Sequence, residues 1–198
     1  GDITSIALNS VENIFTRSYV NSPVIESVSF SSLDNLTGPL SIYDSVAGGS
    51  LLGSGRAIKL DEVPNLTSFD VSSLTSLNDA LIVNNVGLTD LSSFSAITGN
   101  TDDITISDNT ALTSLNGLSN ITDIENITIE NNNVLADVSG LTGLTTVSNT
   151  FSIDNNDIIT DLSGLGAANI ETLTISNNLA LTQLTGVENL SGLTSLTI

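Results

Sequence analysis

The 198-residue chain contains no Cys, His, Met or Trp, and only three of its residues are basic. Without Cys there is no disulfide framework and no thiol nucleophile. Without His there is neither a Ser–His pair nor an imidazole metal ligand. The lack of oxidisable side chains suits an exposed, extracellular life. Aromatic residues are scarce, five Phe and two Tyr, and most fall at positions that read as core. Arg17, Arg56 and Lys59 face 22 acidic residues, giving a net charge of -19. Such a field repels phosphate backbones and anionic membrane surfaces, so nucleic acid and lipid headgroups are excluded as direct partners. No apolar run approaches a transmembrane span and no signal peptide is visible. The chain starts and stops inside its own repeating pattern, so it is expected to be an excised or processed part of a longer protein.

What the chain does have is an unusual periodicity. From Leu112 the apolar residues recur at Leu115, Leu118, Ile121, Ile124 and Ile127. The interval then shortens to give Ile129, with Asn132 three residues on, before Leu135 reopens the pattern. A strict period of three fits neither an alternating strand nor a 3.6-residue helix. It fits a chain that turns repeatedly and drops one side chain inward at each step. Only Ile127-Thr128-Ile129 alternates as a strand does.

The strand-plus-Asn unit recurs as Ile104-Thr105-Ile106 with Asn109, Phe151-Ser152-Ile153 with Asn156, and Leu173-Thr174-Ile175 with Asn178. Including Asn132, successive Asn residues lie 23, 24 and 22 positions apart. Leu81-Ile82-Val83 with Asn85 reads as the same unit with a shorter gap, and Leu196-Thr197-Ile198 begins another. Ile58-Lys59-Leu60, Leu40-Ser41-Ile42, Val28-Ser29-Phe30 and Ile6-Ala7-Leu8 read as degenerate copies. The pattern predicts a mainly β, right-handed parallel solenoid of roughly eight coils, about 22–24 residues each, with few or no helices. Residues 1–65 form degenerate coils with a Gly-rich loop at 48–55. Residues 66–198 are the regular repeats of one continuous domain. In such a solenoid Asn85, Asn109, Asn132, Asn156 and Asn178 are expected to be buried and to satisfy backbone groups in the turn after each strand.

The run Ile124-x-x-Ile127-x-Ile129-x-x-Asn132 resembles the leucine-rich repeat, L-x-x-L-x-L-x-x-N-x-L, position for position. The L-T-I-x-x-N unit followed by L-T-x-L-x-G-L is similar to the receptor L-domain class of cell-surface receptors and of bacterial and fungal surface proteins. The resemblance covers about Leu66 to Ile198. It departs after Asn132, where Leu135 comes three positions on rather than two. It implies the solenoid fold and a habitat at the cell surface or outside the cell, and no particular ligand.

Catalysis has little to work with. Asp102-Asp103, Asp61-Glu62 and Asp154/Asp157 are the nearest acidic clusters to a carboxylate pair, and solvated loops explain each more simply. The chain therefore reads as a non-enzyme without cofactor. Asp137 and Asp161 occupy equivalent places in adjacent coils, as do Glu130 and Asp154, so calcium is a weak alternative there. None of the dense D-x-D-x-D-G loops of dedicated calcium sites is present. The five N-x-S/T sequons (at Asn35, Asn65, Asn120, Asn126 and Asn189) carry no signal, because 23 Asn and 53 Ser or Thr residues would produce about six by chance.

Stacked coils would align Thr105, Thr128, Ser152, Thr174 and Thr197 as a row of small hydroxyls on the strand face. A second row would run through Thr67, Thr89, Thr113, Thr160 and Thr182, interrupted by Ala136. The strand face is thus the expected contact surface of a binding or adhesion module for a protein, glycan or surface ligand. Ordered Thr rows also resemble ice-binding surfaces, although Asp103, Glu130 and Asp154 beside the row would disturb a lattice-matched face. A spacer or filament subunit, associating end to end through open coil ends, is the third reading.

Overall fold

The computed structural model describes residues 5–11, 13–14, 18–21, 25–33, 35–36, 40–43, 56–166 and 168–198. The described residues include fourteen strands: β1 (Ser5–Ala7), β2 (Asn13–Ile14), β3 (Ser18–Asn21), β4 (Ser27–Ser29), β5 (Asn35–Leu36), β6 (Leu40–Tyr43) and β7 (Ile58–Val63), followed by seven more. These are β8 (Ser68–Asp70), β9 (Ala80–Val86), β10 (Gly99–Ser107), β11 (Ile121–Glu130), β12 (Thr146–Asp154), β13 (Asn169–Ser176) and β14 (Ser195–Thr197). Every pairing is parallel. A nine-stranded sheet runs in the order β14-β13-β12-β11-β10-β9-β7-β6-β3, beside a small β1-β4-β8 sheet and a β2-β5 pair. The chain is a parallel β-solenoid of about seven turns. Its described helical segments are three-residue 3-10 turns, such as Ser92–Phe94, Ser139–Leu141 and Ser163–Leu165.

The period of three is a period of burial. Leu112, Leu115, Leu118, Ile121, Ile124 and Ile127 are all buried, and Ile129, Asn132 and Leu135 continue the series. The register then stacks like on like. Leu81, Ile104, Ile127, Phe151 and Leu173 form one inward column, and Val83, Ile106, Ile129, Ile153 and Ile175 form a second. Both columns are essentially solvent-free and belong to a single apolar core. Each such side chain removed from water contributes about 1.5–3 kcal/mol, which no single coil could gain alone.

Two sequence expectations need correction in the amino-terminal third. Ile6-Ala7 and Val28-Ser29 are strands, but they lie in the small sheet with Phe69 and Asp70, not in the main one. Val28–Phe30 and Leu40–Ile42 therefore sit on different faces of one turn, which contributed to the count of eight coils. Their places in the main sheet are held by β3 and β6, whose Ser18–Asn21 pairs with Leu40–Tyr43. Degenerate coils keep the alternation without the Asn, so spacing alone did not say which face each segment occupies. The Gly-rich stretch 48–55 lies outside the described residues.

A column of tight contacts explains the recurring Gly. Gly117, Gly140, Gly164 and Gly186 each lie against the backbone of the preceding coil, and a Cβ at Gly140 would overlap the Leu115 carbonyl. In earlier coils the equivalent Ser73 and Ser93 instead donate their hydroxyls to the carbonyls of Ser31 and Phe69. Gly140→Ala should therefore lower the unfolding free energy by about 3 kcal/mol, the upper range for overpacking against rigid backbone. Ser139→Ala, at the exposed neighbouring position, should change it by less than about 0.5 kcal/mol. Urea denaturation of both variants checks this pair.

Candidate functional site

Asn109, Asn132 and Asn156 are fully buried. The backbone N–H of Asn109 donates to Asn132 Oδ1 at 3.1 Å, that of Asn132 to Asn156 Oδ1 at 3.1 Å, and that of Asn156 to Asn178 Oδ1 at 2.9 Å. Each amide nitrogen reaches back one coil: Asn132 Nδ2 donates to the Ile106 carbonyl at 2.9 Å and Asn156 Nδ2 to that of Ile129 at 3.0 Å. Both also close their own turn, on the carbonyls of Glu130 and Asp154. One side chain thus satisfies backbone groups in its own coil and in the coil before it. Asn178 is half-buried and ends the series.

Asn85 does not belong to this ladder. Val86 takes that place, its N–H donating to Asn109 Oδ1 at 3.1 Å, and Val63 stacks beneath it. Asn85 has φ 47° and is equivalent to Glu62, Asp108, Asn131, Asn155 and Asn177, all in the left-handed region with φ between 47° and 58°. Asn and Asp tolerate that conformation better than other side chains bearing a Cβ. The Asn one residue early in the Leu81 unit is therefore a turn residue of a second row.

The expected hydroxyl row is in register. Thr105 pairs with Thr128, Thr128 with Ser152, Ser152 with Thr174, and Thr174 with Thr197. Thr105, Thr128, Ser152 and Thr174 are half-buried between inward neighbours, and Thr197 is exposed. Successive hydroxyls are therefore spaced by one strand separation, about 4.8 Å. Toward the amino terminus the row passes through Ile82, Lys59 and Ser41. Lys59 is nearly buried there and its ammonium contacts Asp61 at 2.8 Å, so the hydroxyl-only part begins at Thr105.

The rows on either side are partly committed to their own contacts. Asp103, Asn126, Thr150 and Thr172 align on one side, where Asn126 Nδ2 donates to Asp103 Oδ1 at 2.9 Å. Ser107, Glu130, Asp154 and Ser176 align on the other, where Ser176 Oγ donates to Asp154 Oδ1 at 2.6 Å. The second Thr row is partly committed as well: Thr113 Oγ1 donates to the Thr89 carbonyl at 3.0 Å and Thr67 Oγ1 to that of Glu26 at 3.4 Å. The hydroxyls of Thr105, Thr128, Ser152 and Thr174 make no such bonds among the described residues. Their hydrogen-bonding capacity is unspent, as is that of Thr150 and Thr172 in the adjoining row and of the buried Ser41 hydroxyl.

The acidic candidates are placed by the turns. Asp137 and Asp161 each accept the backbone N–H of the Ser two residues on, at 2.8 and 3.0 Å, opening a 3-10 turn. Asp70 and Asp90 do the same in earlier coils. The hydroxyls of Ser72, Ser92 and Ser163, then their N–H groups, hold the carboxyls of Asp70, Asp90 and Asp161 below the ordinary range. The Thr122 hydroxyl chiefly, helped by Thr145 and Thr146, does so for Asp123. Glu130 and Asp154 are direct register neighbours. Among the described residues no three acidic groups converge as a metal site.

Sequence reasoning missed the left-handed row, the Asn84–Asp61 bond of 2.6 Å and the Lys59–Asp61 pair. Equivalent positions Asp108, Asn131, Asn155 and Asn177, each one residue before a ladder Asn, were the available signal. The ladder itself predicts that Asn132→Ala strands the Asn109 N–H and the Ile106 carbonyl. At about 1–3 kcal/mol per orphaned buried group, the loss should be about 3 kcal/mol in urea denaturation, with the β-rich circular dichroism retained. No protein-family model, curated protein or solved structure matches the chain.

Proposed function

We propose that the chain is a non-catalytic binding or adhesion module of the extracellular or cell-surface kind, whose contact surface is the outward face of the nine-stranded sheet from β10 to β14. The observation that carries this reading is the register-locked row Thr105, Thr128, Ser152, Thr174 and Thr197, with its free hydroxyls at a constant step. A rigid row of donors and acceptors costs little ordering entropy on binding, because the sheet has already fixed it. The consensus match of Ile124 to Asn132 supports a leucine-rich-repeat-type solenoid similar to receptor L domains, a class in which extended faces bind partners. The strong negative charge disfavours anionic ligands and leaves neutral glycans and protein surfaces as the partner classes.

The test is capture on an array of immobilised neutral glycans and extracellular proteins, comparing wild type with a Thr128→Arg, Thr174→Arg double variant. Capture should be lost in the variant while its melting temperature stays within a few degrees; capture undiminished by the double variant would contradict the reading. The even spacing of the hydroxyls also favours ice as a second ligand, against the carboxylates of Asp103, Glu130 and Asp154. Thermal hysteresis that Thr128→Tyr abolishes would select ice over the adhesion partner. Freezing behaviour no different from that of an inert protein would remove it.

A further inference from the structure

We infer that a second binding site, separate from the sheet face, lies along the left-handed row and takes an extended neutral oligosaccharide. A groove of about 610 Å³ follows the solenoid axis over this row. It is lined by Glu62, Asn85, Asp108, Asn131 and Asn155, together with Thr110 and Asn133. The first five are one per coil because each directly follows a register-matched strand position, the series Asp61, Asn84, Ser107, Glu130 and Asp154. Their step is therefore one strand separation, about 4.8 Å. An extended chain of pyranose rings advances by a comparable distance per ring.

The chemistry of the lining selects the ligand class. Asn85 Nδ2 donates to Glu62 Oε2 at 2.7 Å, Asn131 Nδ2 to Asp108 Oδ1 at 3.0 Å, and Asn155 Nδ2 to Asn131 Oδ1 at 2.6 Å. Each amide thereby fixes its own orientation with one N–H and keeps the other N–H for the groove. Asp108 keeps one carboxylate oxygen, and the exposed Thr110 and Asn133 side chains make no hydrogen bond among the described residues. The surface thus alternates donors and acceptors and carries no cation, which complements vicinal sugar hydroxyls. A uronate or sulfated chain would meet Glu62, Asp108 and a net charge of -19. Asp108 stands alone at its level: Glu62 lies two coils away, about 9.6 Å at the parallel-strand step, too far to share a cation with it.

The preorganisation supplies a clean test. Gly adopts φ near 55° without strain, so Asn131→Gly and Asn155→Gly remove the side chains and leave the turn intact. Isotope-labelled protein is titrated with hexasaccharides of β-1,4-linked glucose, xylose and mannose, and with a hexagalacturonate as the anionic control. The proposal expects at least one neutral hexasaccharide to shift the resonances of Asn85, Asn131 and Asn155. The Asn131→Gly, Asn155→Gly variant should weaken its binding tenfold or more, Thr128→Tyr should leave it unchanged, and hexagalacturonate should not bind. No shift with any neutral hexasaccharide at millimolar concentration overturns the proposal. So does binding that survives loss of the two Asn side chains. Binding abolished by Thr128→Tyr alone would place the sugar on the sheet face and overturn the groove while supporting the reading of that face.

Discussion

The structure depends on one constraint: the polar backbone of each coil is completed by the next coil, not by itself. A turn of 22–24 residues is too short to pair its strand internally, and its apolar side chains have no opposite layer. Stacking solves both problems at once, through parallel ladders about 4.8 Å apart and through inward columns such as Ile104, Ile127 and Phe151. Where the chain leaves the strand, the ladder hydrogen bonds end and the turn would bury unpaired groups. The Asn side chains of positions 109, 132 and 156 take over there, each tying its own coil to the one before it. An amide is suited to this because it offers two donors and an acceptor without charge.

The same stacking determines what kind of surface the protein presents. Any residue type that recurs once per coil becomes a row with a fixed step, whether it is buried or exposed. Gly at positions 117, 140 and 164 lets adjacent backbones touch. Asp at 70, 90, 137 and 161 opens the turns through the N–H two residues on. Thr and Ser at 105, 128, 152 and 174 remain as a row without side-chain partners among the described residues. The surface is therefore built from small polar groups repeated at a fixed step.

Much of this was legible from the spacing alone. The period of three named the buried residues from Leu112 to Leu135, because an inward position in such a coil admits only an apolar side chain or a satisfied amide. The hydroxyl row followed from the same register. What was not legible came from positions where one physical demand imitates another. Asn85 read as a ladder residue, since both the ladder and a left-handed turn select Asn, and only the position of Val86 separates them. Val28-Ser29-Phe30 read as a main-sheet strand, since a short alternating segment does not record which face of the turn it occupies. Asp61 read as a solvated loop charge and Lys59 as the middle of a degenerate strand, whereas their side chains pair on the sheet surface with little exposure.

Native-state amide hydrogen exchange tests the central claim most directly. If stacking is completed by the asparagine ladder, the backbone N–H groups of Asn109, Asn132 and Asn156 should exchange only through global unfolding, as slowly as those of the buried strand residues Ile127 and Ile153. Exchange of these three amides at the rate of exposed turn amides would show that the coils are not joined in this way, and would contradict the account.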